Sequence, residues 1–389
     1  MRLLLPLLAV LALPPSARAM SVEQRKTVDA GLDALYRCDY DGAEGLFSRA
    51  MSGHPGDPVY SLGYATSVWW RMENDFALPG SPMEKRFFAA IDRAIRDAKA
   101  ATSGPDKASA YLYLGAAQGL RARREASERH WFYAYFDGRR SYKNERRAIR
   151  LSPQLYDAYL GLGAFDYYVA TLSRLLRLLA FASGGDKSKG LAELHLAAQR
   201  GEFSRVAAKL LLVGIDWTFE RDPQRAWDTL DEVYKLYPNS PMVESMRLIG
   251  LYRLRDAEGL KTAARAFLDK AEDGAPFFRP IDRAGGHYFL GLGEQLSGQY
   301  SEAIKQYEAA FKDAPEGQRM RGLLRLFIGE CLDLQGHRAE AVDSYRLALR
   351  QPPLWGVPRY ARYLLYRPYK ATMDPLPPRN VALAAGGSD

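Results

Sequence analysis

Two cysteines and five histidines in 389 residues leave little material for metal chemistry. His54, His130, His195, His287 and His337 are scattered. None has a second His, Cys or Glu at ligand spacing on one helix face, and a metal site needs three or four convergent ligands. Beyond the N-terminal leader, no stretch reaches eighteen apolar residues without a charge, so no transmembrane helix is expected. Alternating strand patterns are also missing. Catalytic signatures fare no better. Gly161-Leu162-Gly163 and Gly291-Leu292-Gly293 lack the third glycine of a dinucleotide fingerprint, and no GxSxG elbow occurs. Ser183–Gly190 (SGGDKSKG) has the wrong glycine spacing for a phosphate loop and follows a helical pattern, not a strand. It reads as a helix stop followed by a helix start, with Asp186 or Ser188 as N-cap. The expectation is a protein that is not an enzyme and holds no cofactor.

What is present points to a folded chain. Apolar residues make up 47% and charged residues 26%, a globular balance, and 24 tyrosines suggest aromatic packing. Residues 1–19 have the layout of a secretory signal peptide: Arg2, an apolar run over Leu3–Leu13, a break at Pro14-Pro15-Ser16, and the small-x-small site Ala17-Arg18-Ala19. Export is therefore expected, to the periplasm or envelope if the source is bacterial. Without that segment the net charge falls from +8 to +6, which is mild. It calls for no nucleic acid and is compatible with anionic surfaces such as lipid headgroups.

The organising feature is a spacing. In Tyr288–Pro315, Gly291, Ala303 and Pro315 follow one another at twelve-residue steps. The same steps recur at Gly31/Ala43/Pro55, Gly214/Ala226/Pro238 and Gly329/Ala341/Pro353. A glycine is expected where two helices approach closely, an alanine where the second helix crosses, and a proline where it stops. Second alanines at Ala50, Ala310 and Ala348 complete three of these units, and Val233 replaces the fourth. The pattern resembles the tetratricopeptide repeat, a helix–turn–helix unit of about 34 residues. That resemblance implies an all-α, right-handed superhelical solenoid of about eight helical pairs with no sheet. Cys38 and Cys331 fall in the first and last clear repeats, so two free, buried thiols are expected.

The chain divides accordingly. After 1–19, residues 20–153 read as helical pairs with insertions, among them Asn74–Pro82 and the charged run Arg121–Arg129. Residues 154–203 form a divergent block rich in aromatics and glycine. Residues 204–370 are a regular array ending in a capping helix at Trp355–Tyr366, and 371–389 read as a disordered tail. Within the divergent block, Gly163–Tyr168 (GAFDYY), Gly184–Leu194 (GGDKSKGLAEL) and Ala197-Ala198 are similar to a segment of bacterial relatives of a repeat family of the mitochondrial outer membrane and lipid droplets. The likeness implies work near membranes without catalysis.

Function is expected at two places. The resemblance puts the first helix of each repeat on a concave groove, which would be lined by Tyr60, Tyr64, Leu112, Phe165, Phe219, Tyr288 and Leu292. These positions are aromatic or apolar and poor in Lys and Arg. They suit a hydrophobic or amphipathic peptide or protein partner, not an acidic C-terminus. The alternative is a lipid or other hydrophobic ligand, or a peripheral membrane contact, at the central block. There Tyr156, Tyr159, Leu172 and Leu176 would line a cavity, Arg174 and Arg177 would lie off the apolar stripe, and Leu172–Phe181 would be an amphipathic helix.

Overall fold

The computed structural model describes residues 20–171, 185–354 and 356–373. The expected leader, the helix Leu172–Phe181 with Leu172, Arg174, Leu176 and Arg177, and the tail from residue 374 lie outside the described residues. Among those described, the protein is all-α, with seventeen α-helices and no strand. They form eight hairpins in chain order: α1 (Val22–Tyr36) with α2 (Tyr40–Gly53), α3 (Pro58–Asn74) with α4 (Pro82–Ala101), α5 (Lys107–Ser127) with α6 (Trp131–Leu151), α7 (Ala158–Thr171) with α8 (Lys187–Arg200), α9 (Arg205–Ile215) with α10 (Pro223–Leu236), α11 (Pro241–Arg253) with α12 (Ala257–Glu272), α13 (Pro280–Leu296) with α14 (Tyr300–Asp313), and α15 (Met320–Leu334) with α16 (Arg338–Leu349). A last helix, α17 (Val357–Tyr366), caps the array and buries Val357, Tyr360, Ala361 and Leu364. This is an all-α helical-repeat solenoid.

Local chemistry explains the boundaries. Asp57, Ser81, Asp222 and Ser240 each accept a backbone N–H at a helix start, and each is followed by a proline at the first helical position, where the missing N–H costs nothing. Prolines therefore start helices here as well as stopping them. The turns of seven hairpins pass through a left-handed residue: Cys38, Phe76, Arg129, Arg221, Arg255, Gly298 and Gly336. The charged run Arg121–Arg129, expected as an insertion, is mostly the last turns of α5, which extends to Ser127.

The spacing that defines the repeats has a physical cause in three units. A Cβ added at Gly31 would collide with the ring of Phe47, at Gly291 with Tyr307, and at Gly329 with Tyr345. Each aromatic lies sixteen residues after its glycine, on the second helix, fully buried. The Gly214 unit is different. Its sixteenth residue is Leu230, and nothing lies within 4 Å of a Cβ at Gly214. The expected close approach is not made there, because a leucine does not reach the facing helix as a ring does.

The described part of the divergent block, α7 and α8, packs as a helical pair. Helices α7 and α8 meet backbone to backbone, so a Cβ at Gly163 would sit 2.7 Å from the Gly190 carbonyl oxygen, and one at Gly190 would sit 2.6 Å from the Tyr167 nitrogen. Asp166, buried on α7, pairs with Lys189 of α8, and Tyr167 donates to Glu220. The residues that carry the lipid-droplet likeness are thus the packing joint of this hairpin.

The solenoid does not stay open. The α1–α2 hairpin packs Leu35, Tyr36, Cys38 and Tyr40 into one core with Leu210, Val213, Leu230 and Val243. Arg279, ahead of α13, pairs with Asp75 at the end of α3, and its guanidinium lies 5.2 Å from the Tyr40 ring. Gln318 Nε2 donates to the Asp75 carbonyl oxygen at 2.6 Å, and Arg319 meets Glu128 at 3.0 Å. The first three hairpins are therefore tied across the later ones. Cys38 and Cys331 are both free and buried, and Cys38 lies 3.6 Å from the Ser240 hydroxyl.

Candidate functional site

Curling back on itself, the chain encloses a lumen of about 1390 Å³. Its wall draws on helices from α1 to α15: Leu32 and Tyr36 from the first hairpin, Trp69 and Trp70 from α3, Leu112 and Leu120 from α5, Phe165 and Tyr168 from α7, Met246 and Ile249 from α11, and Tyr288, Leu292 and Leu323 from α13 and α15. The volume exceeds the roughly 300–1,000 Å³ typical of drug-sized ligands. At about 30 Å³ per water it would hold some tens of waters against an apolar wall, an unfavourable filling.

The expected groove residues divide. Leu112, Phe165, Phe219, Tyr288 and Leu292 line the lumen. Tyr60 and Tyr64 do not. Tyr60 is 1% exposed and packs with Val28, Phe47 and Val59, and the Tyr64 hydroxyl accepts from Arg86 Nε at 3.1 Å. The helical period puts both on the first helix of a hairpin, but they lie on its packed side, facing α2 and α4. Tyr156 and Tyr159 also miss the lumen. Tyr156 accepts from Arg200 at 3.3 Å, and Tyr159 packs against the core of α7–α9. The cavity expected inside the central block is instead shared by most of the chain.

The charges on the wall are unevenly matched. Glu73 meets Arg124 at 3.3 Å. Asp157 accepts from the Phe203 and Ser204 amides at 2.9 and 2.8 Å. Asp282 accepts from the Arg279 amide at 2.7 Å, yet burial holds its carboxyl above the usual range despite that guanidinium nearby. Glu145 is wedged between Gly115 and Gly161, where a Cβ on either would collide with it. Burial keeps its carboxyl protonated well above the ordinary range, helped by Glu193 and opposed by a hydrogen bond from Ser141; its Oε2 has no hydrogen-bond partner. Among the described residues, Glu73, Asp157 and Asp282 on the wall thus have protein partners, and burial raises the Glu145 pKa.

Two guanidiniums are not compensated in this way. Among the described residues no carboxylate lies at ion-pair distance from Arg123 or Arg253, both of which line the lumen. Arg123 stacks 4.6 Å over the Trp69 ring, beside Tyr168. Arg253 Nε is buried with no hydrogen-bond partner, near Tyr288. Reading the wall as poor in cations therefore fails at these two positions. Each arginine sits at the C-terminal end of the first helix of its hairpin, outside the stripe that repeat spacing picks out. Arg123 is exposed and Arg253 is half-buried.

The aromatic end of the lumen lies at α6 and α7. Trp131, Phe132, Tyr135, Phe165 and Tyr168 line it there, and Phe132 is also 66% exposed. Among the described residues no group of His, Cys, Asp and Glu is placed to hold a metal ion, and no helix is long and apolar enough to cross a membrane.

No family model and no curated protein matches the chain. Among solved structures it is similar to a Rap protein, in a crystal structure of that protein complexed with competence and sporulation factor. The identity is 12% and the TM-score 0.43, over 85% of this chain and 77% of that one.

Proposed function

We propose that this helical-repeat scaffold is a non-enzymatic binding protein that takes an amphipathic anion, an acidic lipid or fatty acid, into its lumen. The observation that carries the reading is the wall itself: mostly apolar, with Arg123 and Arg253, among the described residues, facing no carboxylate at ion-pair distance. A hydrocarbon body would displace water from apolar surface, at about 25 cal/mol per Å² buried. An acidic head would satisfy the guanidiniums. An extended peptide suits the wall less well, because its backbone N–H and C=O groups would need partners that helix walls, already bonded internally, do not offer. The layout of residues 1–19 supports an exported, envelope-associated setting.

The test is native mass spectrometry of the protein purified without detergent. The wild type should carry an added mass that organic extraction removes and that tandem fragmentation identifies as an acidic lipid. An Arg123→Gln/Arg253→Gln variant should rebind that lipid 10- to 100-fold more weakly, the range for loss of a charge-assisted hydrogen bond. A bare polypeptide mass that no acidic lipid can shift would refute the reading. A bound peptide mass would return the protein to the class of peptide-binding scaffolds.

A further inference from the structure

Helix α6 presents a basic face to solvent. Arg139, Arg140, Lys143, Arg146, Arg147 and Arg150 are all exposed. At about 100° per residue they fall within an arc of roughly 120°. The two acids of α6, Asp137 and Glu145, are both buried. Asp137 is taken up by Arg121 at 2.8 Å and Arg140 at 2.9 Å, and Glu145 lies between α5 and α7. The exposed arc therefore carries no carboxylate. Six bases against two acids give this helix an excess of four charges, half of the +8 of the whole chain.

Toward the start of α6 the same arc turns aromatic. Phe132 falls at its centre by helical phase, and Phe136 and Tyr133 fall beside it. Phe132 and Tyr133 are 66% and 65% exposed, and Phe132 meets the Phe136 ring at 4.6 Å. Neighbouring exposed aromatics mark a surface that something covers. Here they sit at the edge where Trp131, Phe132 and Tyr135 open onto the lumen. A basic row ending in aromatics is the composition of a helix that lies at a bilayer surface, with the cations at the headgroups and the rings at the acyl boundary.

We infer that α6 docks the protein on an anionic lipid surface, with the aromatic end of the lumen turned toward the membrane. A nucleic acid would also meet the row of cations. The aromatic end, continuous with an apolar lumen, favours lipid. The inference goes beyond the lumen reading and does not require it.

The test uses the full chain and vesicles of phosphatidylcholine alone or with about one third phosphatidylglycerol, in co-flotation. Binding should require the anionic lipid and weaken as salt rises past about 0.15 M. A nearby Lys or Arg contributes about fivefold to partitioning, so Arg139→Gln/Lys143→Gln/Arg147→Gln should lower it about a hundredfold. Tyr133→Ser should lower it several-fold on anionic vesicles. All four side chains are exposed, so circular-dichroism melting should not move. The triple variant should still carry the added mass of the lumen ligand, which separates failure of docking from failure of the lumen reading. Equal binding to neutral vesicles, or unchanged binding by the triple variant, would overturn the inference. So would tighter binding of a single-stranded oligonucleotide than of anionic vesicles, abolished by the same triple substitution.

Discussion

The C-terminal hairpins and the N-terminal ones solve the same packing problem differently. From Leu248 to Tyr369 one continuous apolar core runs through α11–α17, with Tyr307 and Tyr345 seated on Gly291 and Gly329; its last two hairpins turn at left-handed glycines, Gly298 and Gly336, and its first at left-handed Arg255. The N-terminal hairpins break into several small cores. Buried charges join them: Glu44 with Arg71 and Arg86, and Arg124 with Glu73, Glu84 and Glu128. Their turns hold Cys38, Phe76 and Arg129 at left-handed φ, a conformation that strains a residue with a Cβ. The regular half is scaffold packed for stability. The irregular half gives up packing to leave a lumen and a charged outer helix.

This contrast can be broken in a denaturation experiment. Tyr345→Ala should cost about 3–5 kcal/mol, because it empties a closed site and removes the hydroxyl's 2.8 Å hydrogen bond to Asp333, which Arg338 and the Tyr369 amide still hold. Phe165→Ala, on the lumen wall, should cost less than about 1.5 kcal/mol, because one side of the ring already faces open space. Equal costs would mean that the lumen is collapsed in solution.

Two further pairs sharpen the comparison at smaller scale. Gly329→Ala should destabilise by about 1–3 kcal/mol through the Tyr345 ring, whereas Gly214→Ala should stabilise by up to about 1 kcal/mol, since the helix gains propensity and nothing stands in the way. Arg221→Gly and Arg255→Gly should each stabilise by about 0.5–1 kcal/mol by relieving left-handed strain, while Gly336→Ala should cost about 1 kcal/mol. Each is read from the urea midpoint at constant m-value.

Glu145 has its native pKa raised by burial, so its contribution is full below the unfolded-state value near 4.5 and is lost as pH rises through the native value. Ser141, Glu193 and the backbones of Gly115 and Gly161 face it, and no cation is hydrogen-bonded to it. Glu145→Gln should therefore leave the melting temperature near pH 4.5 almost unchanged and raise it increasingly toward pH 8. A difference that shrinks with pH would mean that the carboxylate is ionised and paired.

The repeat spacing made the architecture legible, because Gly31, Gly291 and Gly329 are constrained by rings sixteen residues away, a local relation that the chain order carries. The site was half legible for the same reason. Leu112, Phe165, Phe219, Tyr288 and Leu292 follow from which face of a first helix looks inward. Tyr60 and Tyr64 were misplaced because hairpin packing took their face. Arg123, Arg253 and the Arg279–Asp75 closure depend on contacts between residues up to two hundred positions apart, which no periodicity encodes. The basic arc of α6 was present in the sequence as a period of bases free of exposed acids. It went unread because Asp137 and Glu145 interrupt the string, and only burial removes them from the surface.

The central claim, a lumen that holds an amphipathic anion, is tested most directly by titrating delipidated protein with a dansyl-labelled fatty acid. The comparison is an Ala116→Phe/Ala164→Phe variant, whose two new rings would fill the wall. The account predicts saturable, blue-shifted binding by the wild type that is competed by unlabelled fatty acid, and at least tenfold weaker binding by the filled variant at an unchanged melting temperature. Equal binding by both proteins, or no saturable binding by the wild type, would contradict it.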